Sequence, residues 1–202
     1  MKDEYLKKGR IGQKQKTREK ILRAAHKIQG RGAELTLENV AEKAGISRAT
    51  IYRYYSNKDV LSAEAVLDIK TLTPEQIISK YEEEDLETTL LGIQKYYNRL
   101  AIDNEPSFRK YLSVILNPDN QVSVRGARRV RTLLKALDLK QSRIRDEDRE
   151  NLIYMATLMM GIEALIVTRD VCRLDDTSAE EVLQWGMKTL LAGMLSSNPD
   201  QT

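Results

Sequence analysis

A protein that makes or breaks bonds must gather a nucleophile, a proton carrier or a set of metal ligands, and this sequence is poor in all three. It holds one histidine, His26, and one cysteine, Cys172, far apart in the chain. No Gly-rich phosphate loop and no nucleophile elbow occurs, and zinc would find too few soft ligands. The expectation is therefore no enzyme, no metal and no cofactor. What the residues can do is electrostatic. Residues 1–62 carry 15 Lys+Arg against 7 Asp+Glu, whereas the rest of the 202-residue chain carries 18 against 23, so the overall +3 hides a basic head on a mildly acidic body. That is the charge distribution of a nucleic-acid-binding module joined to a module with another task.

The elements that would position this charge read as helices. No stretch alternates with period two over several β-branched residues, and there are only four prolines. After a basic arm (Lys7, Lys8, Arg10, Lys14, Lys16), a first helix is expected over about 17–29, with Ile21, Ala24, Ala25 and Ile28 on one stripe. Gly30 and Gly32 break it. Thr36 and Glu38 open a short second helix that Gly45 ends, a third starts at Ser47, and Ser56 with Asp59 opens a fourth. Between Ala41 and Tyr54 the pattern is helix, Gly-containing turn, helix. Ala41 is small where two helices cross, Gly45 suits a positive φ, Ile46 and Ile51 fill the wedge, and Ser47 can cap the third helix.

The run Thr36-Leu37-Glu38-Asn39-Val40-Ala41-Glu42-Lys43-Ala44-Gly45-Ile46-Ser47-Arg48-Ala49-Thr50-Ile51-Tyr52-Arg53-Tyr54-Tyr55-Ser56-Asn57-Lys58-Asp59-Val60-Leu61 closely resembles the signature of the TetR family of transcription regulators. So does Thr17-Arg18-Glu19-Lys20-Ile21-Leu22-Arg23-Ala24-Ala25. The resemblance covers roughly 17–65, with two departures: Gln29 stands where the family has an aromatic, and the loop before Thr36 is shorter. It implies an all-α fold: a three-helix DNA-binding head with a helix-turn-helix, a linking helix, and a helical ligand-binding and dimerisation domain. It also implies that the third helix enters the major groove. Arg48 is then the candidate for a bidentate guanine contact, and Thr50 for a thymine methyl or a phosphate. Thr36, Tyr52, Tyr54 and Lys58 match phosphate-holding positions, and Ser47, Ala49 and Arg53 complete the expected DNA-binding set. Tyr55 is expected in the core.

The expected division is 1–62 for arm and DNA-binding domain and 63–202 for the regulatory and dimerisation domain. Thr73-Pro74-Glu75-Gln76 is a helix start with cap, Pro and capping-box partner in place. Leu90, Ile93, Tyr97 and Leu100 form the inward face of a helix from Leu86. A turn is expected over Asn117-Pro118-Asp119-Asn120. A helix from Ser123 to about Leu137 follows, with Val124, Ala127, Val130 and Leu134 inward. A single long helix is expected over about 146–174, and a last one from a Thr177–Glu180 capping box through Leu195. The run from Leu152 to Val167 is apolar nearly all round but too short for a membrane span, and it contains Glu163. With no apolar segment after the N-terminal charges and one cysteine, a cytoplasmic protein is expected. Leu183, Met187, Leu190, Leu191 and Met194 are the candidate dimer contacts. Tyr96, Tyr97, Tyr111, Met155, Met159 and Glu163 are the candidate ligand contacts, with Glu163 alternatively pairing an arginine such as Arg99. The function expected is a ligand-released repressor that binds a palindromic double-stranded operator as a homodimer. An activator of the same fold and a non-specific architectural DNA binder are the alternatives.

Overall fold

The computed structural model describes the backbone at residues 2–31, 33–117, 127–140 and 144–196, and side chains at 12–31, 33–68, 71–117, 127–140 and 144–194. Among these residues the regular structure is entirely helical. They divide into two compact units, one formed by 1–71 with 106–125, the other by 72–105 with 126–202.

In the first unit, helix α1 (Lys2–Gln29) is followed by α2 (Leu37–Ala44), α3 (Arg48–Tyr54) and α4 (Lys58–Lys70). Helix α1 starts at Lys2, not near Thr17, so the arm continues the helix. Its stripe of Ile21, Ala24, Ala25 and Ile28 is buried as the spacing requires, on a helix that packs against α2 and α4, where Leu37, Val40, Ala41, Val60 and Leu61 are buried too. Thr36 caps α2 by accepting the Asn39 N–H at 3.1 Å. Gly45 leaves α2 at φ 65°, and its N–H reaches back to the Ala41 and Glu42 carbonyls. The cap of α4 is Asn57, not Ser56. Its Oδ1 accepts the N–H groups of Asp59 and Val60 at 3.0 and 3.1 Å, a geometry open only to the residue adjoining the helix. Gln29, the departure from the family pattern, donates to the Ser62 hydroxyl at 3.2 Å, while His26 Nε2 lies 2.9 Å from the Ala65 carbonyl. Polar contacts thus tie α1 to α4 where an aromatic would have packed. Most of α7 (Glu105–Ile115) belongs to this unit and buries Leu112 and Ile115.

The second unit holds α5 (Pro74–Ile78), α6 (Leu86–Asp103), α8 (Arg128–Leu139), α9 (Asp146–Leu158), α10 (Ile162–Ile166) and α11 (Asp176–Ser196). The capping box at Thr73 forms as expected, with both reciprocal bonds to Gln76. Leu90, Ile93 and Tyr97 of α6 meet Leu133, Leu152, Met160, Met187 and Leu191 in one core.

Three sequence expectations are corrected here. The buried face of α8 is Thr132, Leu133, Ala136 and Leu137, whereas Ala127 and Leu134 face outward; two apolar stripes compete on this helix, and the one that meets α6 is buried. Residues 118–126, with the Asn117–Asn120 turn and Val124, lie largely outside the described residues. The long helix over 146–174 is broken. Gly161 takes φ 85°, α9 and the segment from Ile162 to Val171 meet at a 53° bend, and Val167–Val171 is a wide π-type turn. Neighbours satisfy the backbone groups that the break leaves over: Asn98 Oδ1 accepts the Gly161 N–H at 2.8 Å, Gln94 Nε2 donates to the Met159 carbonyl at 3.0 Å, and Arg129 donates to the Met160 carbonyl. Finally, the cap of α11 is Asp175, whose carboxylate accepts the Ser178 N–H at 2.8 Å, and not Thr177. Among the described residues no single helix is long and apolar enough to cross a membrane.

Candidate nucleic-acid interface

Helix α3 divides its residues by height. Ile51 is fully buried and anchors the helix, while Arg48, Ala49, Tyr52 and Arg53 are exposed and Thr50 and Tyr54 half-buried. Ser47 caps α3 by accepting the Thr50 N–H at 3.1 Å, and its hydroxyl lies 2.9 Å from that of Thr50. The side chains near the N-terminal end of α3 are therefore held by short local bonds, and the helix offers them outward on a short rigid rod.

Thr36 sits at the start of α2 with its hydroxyl committed to the cap. Lys58, the first residue of α4, has its ammonium 3.8 Å from the Glu34 carboxylate, with both side chains mostly exposed. The Arg53 guanidinium lies 5.9 Å from the Tyr54 ring centroid. All nine candidate DNA contacts thus fall on α3 or on the residues that open α2, α3 and α4.

Beneath this surface Tyr55 is buried, as expected from sequence, beside a buried ion pair between Arg18 of α1 and Glu64 of α4. The Arg18 guanidinium lies 5.6 Å from the Tyr55 ring centroid. Burial works against the Arg18 charge, but the Glu64 carboxylate more than offsets this and raises its pKa. Burial, and then the Glu64 charge, push the Tyr55 phenol well above its ordinary value, so it stays neutral.

Glu38, which sequence reasoning used only as a helix-start residue, joins α2 to the exposed side chains of α3. Its Oε1 accepts from Arg48 Nη2 at 3.0 Å and from the Tyr52 hydroxyl at 2.8 Å. The Tyr52 hydrogen bond, then the backbone amide and the Arg48 charge, hold its carboxyl below the usual range, and the same hydrogen bond raises the Tyr52 phenol. Spacings of ten and fourteen residues across a turn have no helical periodicity, so nothing in the sequence marks this clamp.

The class these features define is an all-α protein whose N-terminal unit presents one short helix, polar and basic, that follows α2 across the Gly45 turn. Residues 21–65 match the family model for bacterial regulatory proteins of the tetR family, a span from the second half of α1 into α4. Over that span the chain is similar to DNA-binding transcription regulators. No curated protein matches the chain.

The ligand candidates are distributed over both units. Tyr111 lies in the first, and the other five in the second. Tyr97 is buried, its hydroxyl 2.9 Å from that of Thr132, and burial pushes its phenol up to about 12. Tyr96 packs edge-on to it at 5.1 Å and accepts the Leu72 N–H at 2.7 Å. Met159 packs against the core at the helix break, whereas Met155 is exposed. Glu163 pairs with Arg129 at 3.0 Å rather than with Arg99, which lies 3.3 Å from Asp103 on its own helix. Of the dimer candidates, Met187 and Leu191 are fully enclosed in the unit's own core, and Leu190 and Met194 pack against it. Leu183 is half-buried, and its carbonyl accepts from Gln94 at 2.8 Å. The outward apolar residues of this helix are instead Val182 and Trp185, the latter 67% exposed. Among the described residues no group of three His, Cys, Asp or Glu could hold a metal ion.

Proposed function

We propose that this protein is a sequence-specific DNA-binding transcription regulator, a repressor released from a palindromic operator by a small molecule. The observation that carries the reading is the outward face of α3. A fully buried Ile51 fixes the helix while Arg48, Ala49, Tyr52 and Arg53 project from it, next to a lysine at the start of α4. Such a helix fits the major groove, where an arginine spans two guanine acceptors and flanking cations and hydroxyls meet phosphates. The proposed roles are Arg48 for base reading, Thr50 for a thymine methyl or a phosphate, Thr36, Tyr54 and Lys58 for phosphate, and Ser47, Ala49 and Arg53 at the groove edge; the one O–H of Tyr52, the remaining phosphate candidate, is donated to Glu38.

A palindromic operator calls for two heads. We assign the pairing of two copies to the second unit, on the outward sides of α9 and α11. Tyr154, Leu158 and Trp185 are each more than half exposed, and large apolar side chains left open to water on these two helices support the assignment. The effector site is placed in the same unit, near Tyr97 and Met159. The reading is tested by selecting duplexes from a randomised pool with the unmodified protein, then titrating selected and scrambled duplexes. Preferential binding of a two-fold-symmetric sequence is expected. Equal binding to both would make the protein an architectural DNA binder, and no binding to either would refute the reading.

A further inference from the structure

We infer that Glu38 is a positioning residue for base reading: its carboxylate orders Arg48 on the outer face of α3 and keeps that arginine from pairing with phosphates of any sequence. The inference rests on the DNA-binding reading above and assigns a role to an acidic group within its basic surface.

Arg48 and Tyr52 are four residues apart on α3, so they share a face, and a single oxygen of Glu38 on α2 accepts from both. The pair is a poor device for stability, because Arg48 is 74% and Glu38 40% exposed and surface ion pairs contribute little to folding. It is also a poor device for affinity, because a carboxylate on this face repels phosphate. What it does supply is order. An arginine side chain is long and samples many rotamers, and binding must immobilise it. Holding one terminal nitrogen fixes the guanidinium plane, and its five N–H donors still leave an edge for a guanine. Tyr52 fixes the carboxylate in turn. A glutamate carboxyl is ionised at neutral pH, so the clamp carries its charge there.

On a matching duplex the ordered arginine meets its base. On any other, wild-type Arg48 is withheld from the phosphates. Glu38→Gln should therefore move the two affinities in opposite directions. Random-duplex affinity should rise by about eightfold per head at 0.1 M salt, the gain from one freed phosphate contact. Affinity for the selected duplex should fall about threefold through lost ordering of one long side chain. The ratio of the two should drop by at least about tenfold. Glu42→Gln removes the same charge from an exposed position on the same helix. It should raise both affinities alike and leave the ratio within about twofold. Tyr52→Phe, which deletes one donor and keeps the ring, should lower the ratio by a smaller factor.

The probes are a duplex enriched from a randomised pool by the unmodified chain and a random duplex of equal length, titrated with the full-length protein. A ratio for Glu38→Gln that matches Glu42→Gln overturns the proposal. So does a fall that persists when Arg48→Ala is already present, since Glu38 would then act on the DNA directly, as an acceptor for a cytosine amino group. Enrichment by the wild type with an unmoved ratio fails the Glu38 role alone. If the wild type enriches nothing, the DNA-binding reading itself fails and the Glu38 role falls with it.

Discussion

Removing Arg48 and removing Lys58 should weaken DNA binding in different ways. Arg48 projects from the first turn of α3 with three-quarters of its side chain exposed, and it pairs with the less exposed Glu38. Truncating it to alanine therefore takes nothing from the core, and thermal unfolding should be unchanged. The loss should fall on the matching duplex, where a bidentate guanine contact contributes about 1–3 kcal/mol, a factor of about 5 to 150 per head. At one base pair in each half-site, discrimination should relax. Lys58 opens α4 with its side chain mostly exposed and offers a point charge rather than a fork. Lys58→Ala should weaken every duplex by a similar factor and reduce the slope of log affinity against log salt by about 0.9 per head. The assay is fluorescence anisotropy with selected and random duplexes at four or more salt concentrations. If Arg48→Ala lowers both affinities equally and also flattens the salt slope, Arg48 is a phosphate clamp and its base-reading role is refuted.

Four further outcomes follow from the packing. Arg18→Met leaves Glu64 buried without its partner and should cost about 3–5 kcal/mol in urea unfolding, most of it recovered in Arg18→Met/Glu64→Leu; an unchanged midpoint for the single variant would refute the buried pair. Gly161→Ala combines φ 85° with a Cβ only 2.8 Å from Arg129 Nη1, and should cost about 1–3 kcal/mol in thermal unfolding where a surface alanine costs nothing. Asp85 and Asp175 cap α6 and α11, and the N–H groups of Thr88 and Ser178 hold their carboxyls below the ordinary 3.8. Their contribution is complete above about pH 3.8 and is lost as pH falls through the lower folded values, so Asp85→Asn/Asp175→Asn should flatten the acid limb of the stability profile. Sedimentation of the unmodified chain should give about twice 23.1 kDa, and Trp185→Glu should give the monomer mass with its helicity intact; a wild-type monomer at micromolar concentration would remove the proposed pairing.

Features that depend on near neighbours in the chain could be read from the order of residues alone. The stripe of α1, the Thr73 capping box, the Gly45 turn and the Ser47 cap were all legible, because each is a contact between residues within four positions of one another. The candidate reading helix was legible for the same reason, through the spacing of Ala41, Gly45 and Ile51. Which of two apolar stripes on α8 is buried depends on packing, because Leu133 and Leu134 are equivalent until α6 arrives on one side. Packing also decides that the helix after Asp146 breaks at Gly161, since Asn98, Gln94 and Arg129, from two other helices, satisfy the backbone groups that the break exposes. Met187 and Leu191 turned inward and Val182 and Trp185 outward because the core has room for one face of α11. The Glu38 clamp belongs with these: a carboxylate on one helix and an arginine and a tyrosine on the next meet at one oxygen only when the turn between them is folded, and no sequence periodicity records a contact made across a turn.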